Sequence, residues 1–289
     1  MRDSTYLQLV LPRFSKLPSS LDHTARTVRL GRDDQIPALL IHPDWVSTVP
    51  TVIWLHGRTA TKELDAGRYV RWMRALPTGM AACAIDLPGH GERKDVRADS
   101  AAHSLDILAA TIPEIDQLIE SLADPIWQNV FDLDRLGIGG MSLGGMAALR
   151  RLCDEHPFRC AAVESTSGDL AGLYGGDAFQ GRPTTAWGIT HSGSRTAPLD
   201  PLPHLQAFRP IPLLALHSEA DRIIPSSLQR NFIERLRAHY AANNHDPSLI
   251  ELHTWPTTGA PEEHSGFGRV GNDAKNLQTA FLSRHLLGR

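Results

Sequence analysis

The fold of this chain is decided by LGIGGMSLGG, Leu136 to Gly145. Its first part, LGIGGMS, is a short apolar run of the kind that forms a strand buried on both faces. A helical run, Leu143 to Glu155, begins directly behind it. Ser142 stands at the join in a GxSxG pattern. A strand that turns sharply into a helix around a serine needs small residues two before and two after it, because a β-carbon at either place would clash. Gly140 and Gly144 supply them. Such a turn lifts the serine to the top of the sheet with its hydroxyl exposed, and the helix N-terminus behind it offers the backbone N–H of Leu143 to a developing oxyanion. GxSxG also occurs in ordinary glycine-rich turns; the flanking strand and helix are what make this one a nucleophile elbow.

Outward from the elbow, short apolar runs alternate with longer amphipathic ones. IPALLIHP (Ile36 to Pro43), TVIWLHG (Thr51 to Gly57), MAACAIDLP (Met80 to Pro88), CAAVEST (Cys160 to Thr166), IPLLALHS (Ile211 to Ser218) and IELHTWP (Ile250 to Pro256) read as strands. Ala66 to Leu76, Ala101 to Leu122, Ser226 to Ala242 and Asp273 to Leu287 read as helices. Ser226 with Gln229 fits a capping box behind Pro225. The alternation predicts an α/β class with a mostly parallel sheet covered by helices. One stretch breaks it. Gly168 to Arg209 is rich in Gly, Pro, Ser and Thr and carries Tyr174, Phe179 and Trp187. So long an irregular connection suggests a lid-like insertion in a single domain spanning 1–289, the other reading being a surface excursion.

A serine hydroxyl is a weak nucleophile near neutral pH, so a base must take its proton and an acid must orient the base. Asp221, in PLLALHSEADRIIP, follows a buried strand, where active-site groups of parallel sheets collect, and fits the chain order Ser, Asp, His. It could instead pair with Arg222 or cap the next helix. Glu164, at the end of the Cys160 to Thr166 run, is the competing acid. Among fourteen histidines, position must choose the base. His264, in TTGAPEEHSGFG, lies after the last strand and before the last helix, where the third member belongs. His217 and His253 fall inside strand runs, and His239 and His285 in helix runs, so all four read as packing or surface residues. The second oxyanion donor is expected from the loop after the Thr51 to Gly57 strand, as the backbone N–H of Arg58, with His56 bracing that loop. The Arg58 side chain could reach a substrate carboxylate or simply be solvated.

Composition closes other doors. With 42% hydrophobic residues the chain has material for a core, and its 29 basic against 32 acidic side chains give no electrostatic reason for nucleic acid or an anionic membrane as partner. A small molecule is expected. Neither HExxH nor another clustered ligand spacing occurs, so no metal and no organic cofactor is expected. Cys83, Cys153 and Cys160 lack CxxC spacing and read as small buried hydrophobes. The apolar run from Leu7 to Leu11 is too short for a signal peptide or a membrane span, and a cytoplasmic protein is the expectation.

HGRTATKE, DLPGHGER (Asp86 to Arg93), GMSLGG, HSEADRIIP and EEHSGFG occur in this order. Together they make the sequence resemble the α/β-hydrolase superfamily over nearly its whole length, and within it the dienelactone-hydrolase-type and prolyl-oligopeptidase-like bacterial esterases. The resemblance implies a carboxylesterase-type serine hydrolase using Ser142, His264 and Asp221, with the Arg58 and Leu143 amides as oxyanion hole. It also implies that His90 shapes a loop rim rather than reacting. Arg58 departs from the aromatic or apolar residue common after HG in these relatives. The same triad would also serve a peptidase, a thioesterase or an acyltransferase, and a binding protein of the same fold is the reading outside enzymes.

Overall fold

The computed structural model describes residues 17–175 and 189–288. Eight strands form one sheet: β1 Ala25–Leu30, β2 Ile36–Ile41, β3 Val49–Leu55, β4 Ala81–Ile85, β5 Phe131–Met141, β6 Cys160–Glu164, β7 Leu213–Ser218 and β8 Ile250–Trp255. Their spatial order is β1-β2-β4-β3-β5-β6-β7-β8. β2 runs antiparallel to both β1 and β4, and every other pair is parallel. β1 is a strand that the pattern of apolar runs does not reveal. Of its ARTVRL only Leu30 is fully buried, because an edge strand packs on one side only and its arginines remain in water, which hides it from a search for apolar runs.

The helices are α1 Ala66–Met73, α2 Ser104–Leu122, α3 Leu143–Arg151, α4 Leu170–Tyr174, α5 Gly193–Thr196, α6 Ser226–Ala242 and α7 Gly271–Leu286. α3 stops short of the expected Glu155, with Pro157 following. Successive strand residues point to opposite faces. Thus Ile53, Leu55, Cys83 and Ile138 pack with α2, α3 and α6, while Val52, Trp54, Ala82 and Ala84 pack with α1 and α7. This double coverage is why the central strands are apolar nearly throughout. The three cysteines are buried.

The expected capping box at α6 does not form. The N-cap is Pro225, with no side-chain cap bond, and Ser226 Oγ donates to the Glu219 carbonyl instead. The expected insertion lies only partly within the described residues: Phe179 and Trp187 are outside them. At its near end Asp169 Oδ1 accepts the Gly172 N–H and caps α4, while Asp200 accepts the N–H groups of Leu170 and Ala171. Among the described residues no helix is long and apolar enough to cross a membrane.

Candidate active site

β5 delivers Ser142 at φ 51° and ψ -117°, between the strand and the first turn of α3. A non-glycine residue at positive φ is strained by about 1–3 kcal/mol and persists only where its surroundings hold it. Here they do. The Ser142 N–H donates to the Glu164 carbonyl at 2.9 Å, and the Ser142 carbonyl accepts Thr166 Oγ1–H at 2.7 Å. The two flanking glycines are required by close approach: a Cβ on Gly144 would stand 2.2 Å from the Leu55 carbonyl oxygen, and one on Gly140 2.5 Å from the backbone of Gly144. One expectation needs correction: Ser142 is only 3% exposed. Its hydroxyl is covered because the imidazole of His264 lies against it.

His264 Nε2 is 2.9 Å from Ser142 Oγ, and His264 Nδ1 is 2.8 Å from Asp221 Oδ2. A carboxylate only accepts, so the Nδ1 proton faces Asp221 and Nε2 is left as the acceptor for the serine hydroxyl. Asp221 is held from behind, with Oδ1 accepting the N–H groups of Ile223 and Ile224 at 2.8 Å each. It neither pairs with Arg222, which meets Glu262, nor caps α6.

The loop bearing His264 has its own anchor, which the sequence reading passed over. The Glu263 carboxylate accepts the N–H and Oγ1–H of Thr258, the N–H of Gly259 and Oγ–H of Ser218 at the end of β7. Bonds from the Thr258 backbone first, then its hydroxyl, Gly259 and Ser218, hold this carboxyl down at about 2 against slight desolvation. Glu262 and Glu263 both adopt positive φ, 53° and 54°. The adjacency of Glu263 to His264 was the available signal.

The other candidates fall elsewhere. Glu164 lies on the α1–α7 side, bound to Arg68 and Gln278. A Cβ on Gly57 would be 3.4 Å from the Ser142 Cβ, so the HG loop borders Ser142. His56 Nδ1–H donates to the Gly57 carbonyl at 2.7 Å and Nε2 accepts the Leu87 N–H at 3.0 Å. Burial, then His90, lowers its pKa to about 4, so the ring is neutral. His56 therefore ties the HG loop to the DLPGHGER loop. There Asp86 accepts the backbone and Nζ hydrogens of Lys62 and the N–H of Glu92. His90 packs against His56 with ring centroids 5.3 Å apart. The Arg58 side chain is half-buried rather than merely solvated, and its Nη1 donates to the Asp99 carbonyl. Leu143 opens α3, where the first N–H groups of a helix have no intrahelical acceptor. Among the described residues no group of three or more His, Cys, Asp or Glu is placed to hold a metal ion.

Comparison with known proteins gives four relevant likenesses. Residues 110–289 match the model of the prolyl oligopeptidase family. Esterase YjfP of Escherichia coli is 29% identical over 260 residues, covering 87% of this chain and 96% of that protein. The esterase Pf2001 of Pyrococcus furiosus superposes with a TM-score of 0.64 at 20% identity, over 94% of this chain and 95% of the other. The acylaminoacyl peptidase of Pyrococcus horikoshii reaches 0.67 at 17% identity, over 97% of this chain but 44% of the peptidase. At such identities the two superpositions speak for the α/β-hydrolase fold.

Proposed function

Because the chain belongs to the prolyl oligopeptidase family and is a hydrolase, we propose that it cleaves small carboxylic esters through an acyl-enzyme formed on Ser142. The observation that carries this reading is the unbroken hydrogen-bonded series Ser142 Oγ, His264 Nε2, His264 Nδ1, Asp221 Oδ2, with links of 2.9 and 2.8 Å. His264 accepts the hydroxyl proton as Oγ attacks the ester carbonyl, and Asp221 holds the imidazole in the needed tautomer and stabilises the imidazolium. The tetrahedral oxyanion is taken by the backbone N–H groups of Leu143 and Arg58. His264 then returns the proton to the departing alcohol. Water, activated by the same histidine, attacks the acyl-enzyme and releases the acid. None of these steps asks for a metal or an organic cofactor.

An ester rather than a peptide substrate is supported by sequence similarity. The chain is 29% identical over 260 residues to an esterase, whereas the peptidase with the same fold is 17% identical. The test compares wild type with Ser142→Ala on nitrophenyl esters of graded acyl length, a thioester and an aminoacyl anilide. Turnover of the esters by wild type alone is expected. An enzyme faster on the anilide would replace esterase by peptidase, and an active Ser142→Ala would remove Ser142 as the nucleophile.

A further inference from the structure

β7 ends with His217 and Ser218, and period-two alternation turns His217 to the same face as Leu213 and Ala215, towards α6. The residue is wholly buried. Its Nε2 is 2.9 Å from the Ile224 carbonyl oxygen and 3.4 Å from Asp221 Oδ2. Both neighbours are acceptors, so Nε2 carries the proton. Nδ1 has no hydrogen-bond partner among the described residues. A proton there would be a buried donor without an acceptor, an arrangement that costs about 1–3 kcal/mol. The ring is therefore neutral and in its Nε2–H form. Burial, the largest influence, lowers its pKa further, against the opposing pull of Asp221.

A closed ring of contacts results. The Ile224 N–H donates to Asp221 Oδ1, the Ile224 carbonyl accepts His217 Nε2–H, and Nε2 itself stands 3.4 Å from Asp221 Oδ2 without a hydrogen bond to it. Oδ2 is the oxygen that binds His264. We propose that His217 is a positioning residue for the triad, pinning the loop that carries Asp221 and tempering the negative charge that Oδ2 presents to His264. This rests on the triad reading above. The other charged or titratable groups facing His217 are His264, beyond Asp221, and Arg230 on α6, which is paired with Glu219 at 2.7 Å.

Two substitutions separate donor position from bulk. The amide nitrogen of His217→Gln reaches the place of Nε2, whereas that of His217→Asn stands near Nδ1. On a nitrophenyl ester, Gln is expected to keep kcat and the acidic limb of kcat/KM near wild type. Asn is expected to lose roughly 10- to 100-fold in kcat at similar KM, since a small displacement of a catalytic group has effects of that order. Its acidic limb should move up by about half a unit, because an untempered carboxylate favours the imidazolium. Equal kcat and equal acidic limbs for Gln and Asn, at whatever Tm, would overturn the proposal. If Asn does not fold, wild type labelled with ¹⁵N-histidine decides. A His217 ring neutral and protonated on Nε2 between about pH 5 and 9 supports it, and a proton on Nδ1 or a freely titrating ring overturns it. Ser142→Ala in the same assay keeps the two readings apart. An active Ser142→Ala removes the triad itself, whereas a dead one beside indistinguishable Gln and Asn variants removes only the role of His217.

Discussion

Arg68 on α1 and Glu164 at the end of β6 form a two-pronged ion pair, with Nη1–Oε1 at 2.6 Å and Nη2–Oε2 at 2.7 Å. Gln278 of α7 donates to the same Oε1 at 3.1 Å, and the Arg68 guanidinium lies 4.2 Å over the Trp54 ring. Burial raises the Glu164 carboxyl above its ordinary value, and Arg68 counteracts it. The carbonyl of Glu164 accepts the Ser142 N–H. This pair thus anchors the strand end beside the elbow while keeping the Glu164 carboxylate occupied on the α1–α7 side.

The two carboxylates should therefore fail in different ways. Asp221→Asn is expected to keep the fold and lower kcat by as much as roughly 10⁴, because the amide favours the wrong imidazole tautomer. Glu164→Gln should leave kcat within about tenfold but destabilise by up to roughly 3–5 kcal/mol, since it removes the two-pronged counter-ion of a buried Arg68 and leaves it only Asp65 at 3.5 Å. Kinetics beside urea unfolding read both. A dead Glu164→Gln with a nearly intact Asp221→Asn would move the acid to Glu164.

Strain at Ser142 should be visible once activity is given up. Ser142→Ala is expected to lose ester turnover and labelling by a fluorophosphonate while remaining folded. Ser142→Gly, free of the positive-φ penalty, should be more stable than Ser142→Ala by about 1 kcal/mol after glycine's own entropy is counted. Thermal unfolding of the pair checks this; a Gly variant melting below the Ala variant would mean that the backbone there carries no strain.

Gly144→Ala should be worse than either. Its Cβ would meet the carbonyl oxygens of Leu55 and His56 at 2.2 and 2.5 Å. Backbone, not a flexible side chain, must then move, with a penalty of about 3 kcal/mol or more. Because that backbone leads into Gly57 and Arg58, kcat should fall as well. A Gly144→Ala protein with wild-type Tm and kcat would contradict the close approach.

Glu263 predicts an acid-sensitive clamp. Its carboxyl is depressed from 4.5 to about 2, so its contribution to stability is present above the unfolded value and is lost as pH falls from there through about 2. Tm measured against pH should decline less steeply over that window in Glu263→Gln than in wild type. At neutral pH the variant should have a lower kcat, through a looser His264 loop. Parallel Tm profiles would remove the clamp from the account.

The sequence by itself determined the α/β alternation, the elbow at Ser142 and the order of the segments that carry Asp221 and His264. These are local matters: buried strands are apolar over consecutive residues, and a sharp strand-to-helix turn demands glycines at fixed offsets. It read the Gly168 to Arg209 stretch only as irregular, because such a segment has no period to follow. Tertiary structure alone decided what meets across the sheet. It brought Asp221 and His264 together across a separation of 43 positions, turned Glu164 to Arg68, and converted His217 from one more strand residue into a neighbour of Asp221. The physical reason is that a side chain's face and partners depend on strand register and loop path. Register follows from the packing of both sheet faces at once, which no single segment encodes.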